Sequence, residues 1–186
     1  MKRLQQITKA IVVCIIIIAV YTMYVNRNSI NMTTRQKVLK TFYPALMWIT
    51  KITGTNNAIL KNESIQPSVS FYSLQATLSS GTTFNFAGLK GKKVLLVNTA
   101  SDCGYTDQYA DLEKLYQQYK GQVEILAFPA NDFKEQEKGN DGAIAAFCKK
   151  NYGVTFPIMA KSIVTRSGQQ NKVFNWLSNT AGNGWN

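Results

Sequence analysis

The chain has 186 residues, 45% of them hydrophobic, and a formal net charge of +11, enough for one domain of ordinary size with an appendage. It contains no histidine, which excludes Ser-His and Cys-His catalytic pairs and removes the commonest transition-metal ligand. Its three cysteines, Cys14, Cys103 and Cys148, form no C-x-x-C, so neither a zinc ribbon nor a thioredoxin-type dithiol is encoded.

The charge is unevenly spread. Residues 1–63 carry nine Lys/Arg and one acidic residue, residues 64–186 twelve and nine. The excess flanks an apolar run and no basic-aromatic stripe accompanies it, so no nucleic-acid partner is expected. Anionic lipid head groups are the natural counter-charge. The run itself, residues 10–25, is 16 residues long, short of the roughly 20 a spanning helix needs. Tilt, or snorkelling of Lys9 and Arg27, closes the gap. Lys2, Arg3 and Lys9 precede the run and hold the N-terminus in the cytoplasm. Its end, Tyr21-Thr22-Met23-Tyr24-Val25-Asn26, lacks the small residues of a cleavage site. Residues 1–29 are therefore read as an uncleaved, single-pass signal anchor, with Cys14 a membrane-buried thiol. Met32 is an alternative start that would remove the anchor.

Residues 36–52 have helical spacing, with Val38, Leu39, Phe42, Leu46, Ile49 and Ile52 on one face. Pro44 is expected to kink or interrupt this helix. Arg35, Lys37, Lys40 and Lys51 make it basic. Two placements are open, in the membrane interface or packed on the folded domain. Residues 53–67 are polar with Gly, Asn and Pro, a linker. Residues 30–65 are thus a basic amphipathic segment and linker, and residues 66–186 the folded domain.

That domain alternates. Residues 69–77, 82–86 and 94–100 read as strands. Residues 106–120 read as an amphipathic helix, with Tyr109, Leu112, Leu115, Tyr116 and Tyr119 on its apolar face. Residues 123–128 are a further strand. Asp141 is placed as the cap of a helix reaching about Asn151. Residues 157–164 read as a strand and residues 171–178 as the start of another helix. Strands separated by helical patterns imply an α/β sheet.

Cys103 falls in the turn between the third strand and the helix after it. Unpaired N–H groups and the positive helix end favour an anion there, and a thiol reacts only as its thiolate. The blander reading is a buried, inert cysteine. The surrounding residues decide between the two. Asn98-Thr99-Ala100-Ser101-Asp102-Cys103-Gly104-Tyr105-Thr106 resembles the active-site motif N-V-A-S-x-C-G-x-T of the glutathione peroxidase family. Phe128-Pro129-Ala130-Asn131-Asp132-Phe133-Lys134-Glu135-Gln136-Glu137 is similar to that family's F-P-C-N-Q-F-x-x-Q-E. Asn151-Tyr152-Gly153-Val154-Thr155-Phe156-Pro157 is similar to its Y-G-V-T-F-P. The resemblance covers residues 69–176.

It implies a thioredoxin-like fold and thiol-dependent reduction of hydrogen peroxide or organic hydroperoxides. It makes Cys103 the peroxidatic residue, which becomes a sulfenic acid, and Gln136 the catalytic glutamine, an uncharged donor to the thiolate and leaving oxygen. The alternative for Gln136 is a surface residue in the charged run around Lys134 and Lys138. Cys148 is either the resolving cysteine that many thioredoxin-dependent members carry or a core thiol on the apolar face of its helix. No cofactor is implied; the co-substrate is thioredoxin or glutathione. The family's Trp-Asn pair lies within W-N-F, entering a late strand. Trp185-Asn186 arrive earlier and in a Gly/Asn-rich loop, so they are read as preceding that motif, with the last strands, terminal helix and two catalytic residues missing. The resulting expectation is a membrane-anchored thiol peroxidase facing away from the cytoplasm, most simply in a bacterial periplasm. Its rival is a degenerate, membrane-tethered thioredoxin-fold binding module without turnover.

Overall fold

The protein is described by a computed structural model covering residues 2–27, 29, 32–54, 66–179 and 183. It comprises two compact units, residues 1–56 with 103–107, and residues 57–102 with 108–186.

In the first unit, α1 (Lys2–Val25) is continuous. Its stretch Gln5–Val25, 21 residues, is long and apolar enough to cross a membrane, and none of it is buried. At 1.5 Å per residue it is about 31 Å long, the thickness of a bilayer's hydrocarbon core. The helix exceeds the 16-residue apolar run because Gln5, Gln6 and Lys9 are good helix formers and extend it.

α2 (Thr34–Ile52) opens on a capping box. Gln36 N–H donates to Thr33 Oγ1 at 3.3 Å, and Thr33 N–H to Gln36 Oε1 at 2.6 Å, so two end donors are satisfied reciprocally. Pro44, expected to kink or interrupt this helix, lies inside α2 without interrupting it. Its ring removes one backbone bond, while the caps and the remaining turns hold. Asn26 Nδ2 donates to Thr22 O at 2.9 Å and to Thr41 Oγ1 at 3.0 Å, tying the end of α1 to α2. Val38, Phe42, Leu46, Ile49 and Ile52 are all exposed, an apolar stripe along the helix. Residues 55–65 of the linker lie outside the described residues.

The second unit is an α/β layer structure. β1 (Gln75–Thr77) and β2 (Thr83–Asn85) form an antiparallel hairpin with Ala76 opposite Phe84. β3 (Lys93–Thr99) and β4 (Val123–Pro129) pair in parallel, Leu96 opposite Leu126, joined by α3 (Gln108–Gln118). A crossover helix is how two parallel strands are connected. Residues 157–160 bridge the two pairs. Ala127 N–H donates to Pro157 O at 3.0 Å and Met159 N–H to Ala127 O at 2.8 Å, while Ala160 N–H donates to Thr77 O at 2.8 Å.

β4 is buried on both faces, which accounts for its unbroken apolar sequence. Leu126 and Phe128 point into one cluster with Phe86, Leu89, Met159 and Val173. Ile125 and Ala127 point into another with Tyr109, Ile144, Cys148 and Phe156. α3 and α4 (Asp141–Tyr152) cover the second face, and α5 (Lys172–Ser178) covers the first.

Three sequence expectations change. Residues 69–77 are not one strand. Ser70 Oγ accepts from Tyr72 N–H at 3.3 Å and caps a 3-10 turn, Phe71–Ser73, leaving three residues for β1. Residues 157–164 make only isolated bridges at Ile158 and Met159. Beyond them Ser162 N–H goes to Pro129 O at 3.0 Å, and Val164 and Thr165 N–H go to Asp132 Oδ2 at 2.6 and 2.9 Å. The ladder donors are therefore spent on a loop. The cap of α4 is Asn140, whose side chain accepts from Ala143 N–H at 2.9 Å; Asp141 is the first helical residue. Gly153, at φ 66°, closes that helix in the left-handed region, where glycine carries no Cβ penalty.

Candidate functional site

β3 delivers its last residue, Thr99, beside the end of β4, where Ala130 N–H donates to Thr99 O at 3.0 Å. The chain then turns, and the turn is held by the segment that carries Gln136. Ser101 N–H donates to Glu137 Oε2 at 2.8 Å and its hydroxyl to Glu137 Oε1 at 2.7 Å. Asp102 N–H donates to Gln136 O at 2.9 Å. Glu137 N–H in turn goes to Asn131 Oδ1 at 2.9 Å. Gln136 is 4% exposed and Glu137 is fully buried, so the surface reading of Gln136 does not hold. Lys134 and Glu135, just before them, have φ of 57° and 53°. Two successive non-glycine residues in the left-handed region carry strain of about 1–3 kcal/mol each. They reverse the chain so that exposed Lys134 and Glu135 lead into two buried residues.

Glu137 is held protonated to higher pH than an ordinary glutamate. Burial is the larger cause, opposed by the two Ser101 bonds and by the positive charge of Lys161. In sequence Glu137 belongs to the motif yet reads as part of a solvated stretch with Lys134, Glu135 and Lys138. Nothing in the local sequence announces its burial.

Cys103 follows directly on Asp102 and is half-buried. Its N–H donates to Thr106 Oγ1 at 3.0 Å, and Thr106 Oγ1 donates back to Cys103 O at 2.7 Å. Tyr105 N–H lies 3.5 Å from Cys103 Sγ, and Tyr43 Oη lies 3.6 Å from it. The expected placement at a helix start is corrected here. α3 begins only at Gln108, because Thr106 closes the chain back on Cys103 as a turn, and helix-end effects fade within the first turn.

Cys148 lies in α4 with no exposed surface, within the cluster of Tyr109, Ile125 and Ile144. Burial pushes its thiol up to about 11, with Tyr109 acting against that and Glu137 adding to it. The Tyr109 phenol beside it is also raised, first by burial and then by Cys148. Trp185 and Asn186 lie outside the described residues. Among the described residues no group of three or more His, Cys, Asp or Glu gathers as metal ligands do.

This arrangement, a cysteine in the turn after the first strand of a βαβ unit, defines a thioredoxin-like protein. Residues 71–178 match the family model described as glutathione peroxidase. The chain is 54% identical over 108 residues to the glutathione peroxidase-like peroxiredoxin GPX5 of Chlamydomonas reinhardtii, covering 58% of this chain and 66% of that protein. It is 58% identical over 92 residues to the glutathione peroxidase-like peroxiredoxin gpx1 of Schizosaccharomyces pombe, covering 49% of this chain and 58% of that one. The crystal structure of T. cruzi GPX1 is 31% identical, with a TM-score of 0.44 over 60% of this chain and 67% of that chain. The chain belongs to the glutathione peroxidase family. Its matched stretch spans less than two thirds of the length of the first two relatives.

Proposed function

We propose that this protein is a thiol peroxidase in which the Cys103 thiolate reduces hydrogen peroxide or an organic hydroperoxide. The observation that carries the reading is the clamp of Ser101 and Asp102 onto Glu137 and Gln136. It fixes the backbone of the residue just before the thiol to the backbone of the glutamine. The names of the relatives, peroxidase and peroxiredoxin, support thiol chemistry.

In the step proposed, Cys103 sulfur attacks the terminal peroxide oxygen. An S–O bond forms, the O–O bond breaks, and alcohol or water leaves after taking a proton from solvent. The sulfur is oxidised to a sulfenic acid and the peroxide is reduced. The Gln136 amide donates to the charge without adding its own. Two thiols of the co-substrate, thioredoxin or glutathione, return the sulfenic acid to the thiol: the first condenses with it to a mixed disulfide with loss of water, and the second displaces the Cys103 thiol and leaves as the co-substrate's disulfide. Cys148 serves as the resolving thiol only on local unwinding of α4; in the folded protein its burial makes it a core residue.

α1 is the tether, spanning once, with residues after Arg27 outside the cytoplasm. The exposed apolar stripe of α2 lies in the interface of the same bilayer, with Lys51 at its end toward the head groups. Peroxide consumption by the full chain in detergent, coupled to thioredoxin or glutathione recycling, tests the assignment. Cys103→Ser should abolish it with the fold intact, and turnover retained in that variant refutes the role of Cys103.

A further inference from the structure

The first unit brings one stripe of α2 onto the turn that carries the thiol. Gln36, Lys40 and Tyr43 follow the spacing i, i+4, i+7, one face of a helix. Each meets a residue of the segment 103–107. Gln36 Nε2 donates to Thr106 Oγ1 at 3.4 Å, and Gln36 is 1% exposed. Lys40 Nζ pairs with Asp107 Oδ2, and Ser29 Oγ donates to the same oxygen at 2.7 Å. The Tyr43 ring lies on that of Tyr105, centroids 4.5 Å apart. At Gly104 a Cβ would come within 3.0 Å of the Tyr43 ring and of Lys40 N. A bare backbone is what lets α2 approach so closely. Tyr43 Oη then stands 3.6 Å from Cys103 Sγ.

Resting on the peroxidase reading of Cys103, we propose that Tyr43 is a further catalytic residue, the hydrogen-bond donor that α2 supplies to the reacting sulfur. A thiolate has no proton to give, so with the sulfur ionised the phenol must donate. A charge-assisted bond of this kind is stronger than a neutral one. Tyr43 keeps its proton while the S–O bond forms; it holds the ionised sulfur in place and lowers the cost of its charge. α2 is thereby part of the site: the helix that carries the exposed apolar stripe also carries the donor.

The test uses the full chain in detergent micelles. Sulfenic acid formation at Cys103 under hydrogen peroxide is followed by stopped flow, and iodoacetamide alkylation of Cys103 at pH 7 is measured without peroxide. Tyr43→Phe removes only the hydroxyl and should slow both by about tenfold. Gly104→Ala, which pushes α2 away with Tyr43 intact, should slow both similarly. The double variant should be no slower than either single one, the signature of one shared contact. Native rates in Tyr43→Phe, or fully additive losses in the double variant, overturn the proposal. A native chain that is alkylated but inert to peroxide refutes the peroxidase reading instead, and the alkylation comparison still decides the contact.

Discussion

Ser101 gives both of its donors to a single side chain: its N–H reaches Glu137 Oε2 at 2.8 Å and its hydroxyl reaches Oε1 at 2.7 Å. Glu137 is fully buried and Ser101 half-buried. Glu137→Ala leaves two half-buried donors without this acceptor and should cost about 1–3 kcal/mol, read as a shift in the urea midpoint at constant m. Glu137→Gln, which keeps one acceptor oxygen, should cost less.

The same carboxyl gives a pH signature. Its folded pKa is raised, by burial first, against Ser101 and Lys161; Tyr109 and Cys148 are the other titratable groups it influences. A raised acid holds its proton longer folded than unfolded, so the unfolded chain binds fewer protons in between. Its contribution is therefore fully present below the unfolded value and lost as pH rises through the folded one. Stability measured from pH 4 upward should show this downward component, and Glu137→Gln should remove it.

Cys148 should be silent toward alkylation. With its thiol pushed up to about 11 from 9.0 and no exposed surface, iodoacetamide at pH 7 should label Cys103 and leave Cys148 unmodified until denaturant is added. Above pH 9 the unfolded thiol ionises before the folded one, so stability should fall between pH 9 and 11. Labelling of Cys148 at the rate of Cys103 contradicts this placement.

The β4 core gives the sharpest packing test. Leu126 is fully buried in the cluster with Phe86 and Met159, whereas Leu95 on β3 is 37% exposed. Leu126→Ala should cost about 2–5 kcal/mol, and Leu95→Ala markedly less; equal losses in denaturant titrations would contradict the deeper burial of β4 than of β3.

The βαβ unit and the helices were legible because their signals are local. β4 reads as a continuous apolar run, α3 keeps the spacing of Tyr109, Leu112, Leu115 and Tyr116, and Asn171 caps α5. Residues 69–77 and 157–164 were not. Their β-rich composition is overridden by Ser70, which turns the chain, and by Asp132, which takes the donors of Val164 and Thr165. The motif singled out Gln136, and the structure buries it; the burial of its neighbour Glu137 was not legible. Burial there depends on the left-handed reversal at Lys134 and Glu135, which charged residues do not announce. Tyr43 was hidden for another reason: the apolar positions of α2 suggested the buried face, and the structure leaves that stripe exposed while the polar stripe meets the cysteine turn.

The proposed single span makes a topological prediction. α1 with Lys2, Arg3 and Lys9 ahead of its apolar run should export the chain beyond Arg27. Alkaline phosphatase fused after Gln66 in a bacterial host should be active; an inactive phosphatase there, with a cytoplasmic reporter active at the same point, reverses the orientation.

The central claim is that peroxide oxidises Cys103. One equivalent of hydrogen peroxide added to the reduced full chain in the presence of dimedone, followed by peptide mass spectrometry, tests it most directly. The account predicts a near-stoichiometric dimedone adduct at Cys103, with Cys148 still a free thiol. An unmodified Cys103, or oxidation falling on Cys148 or Cys14 instead, would contradict it.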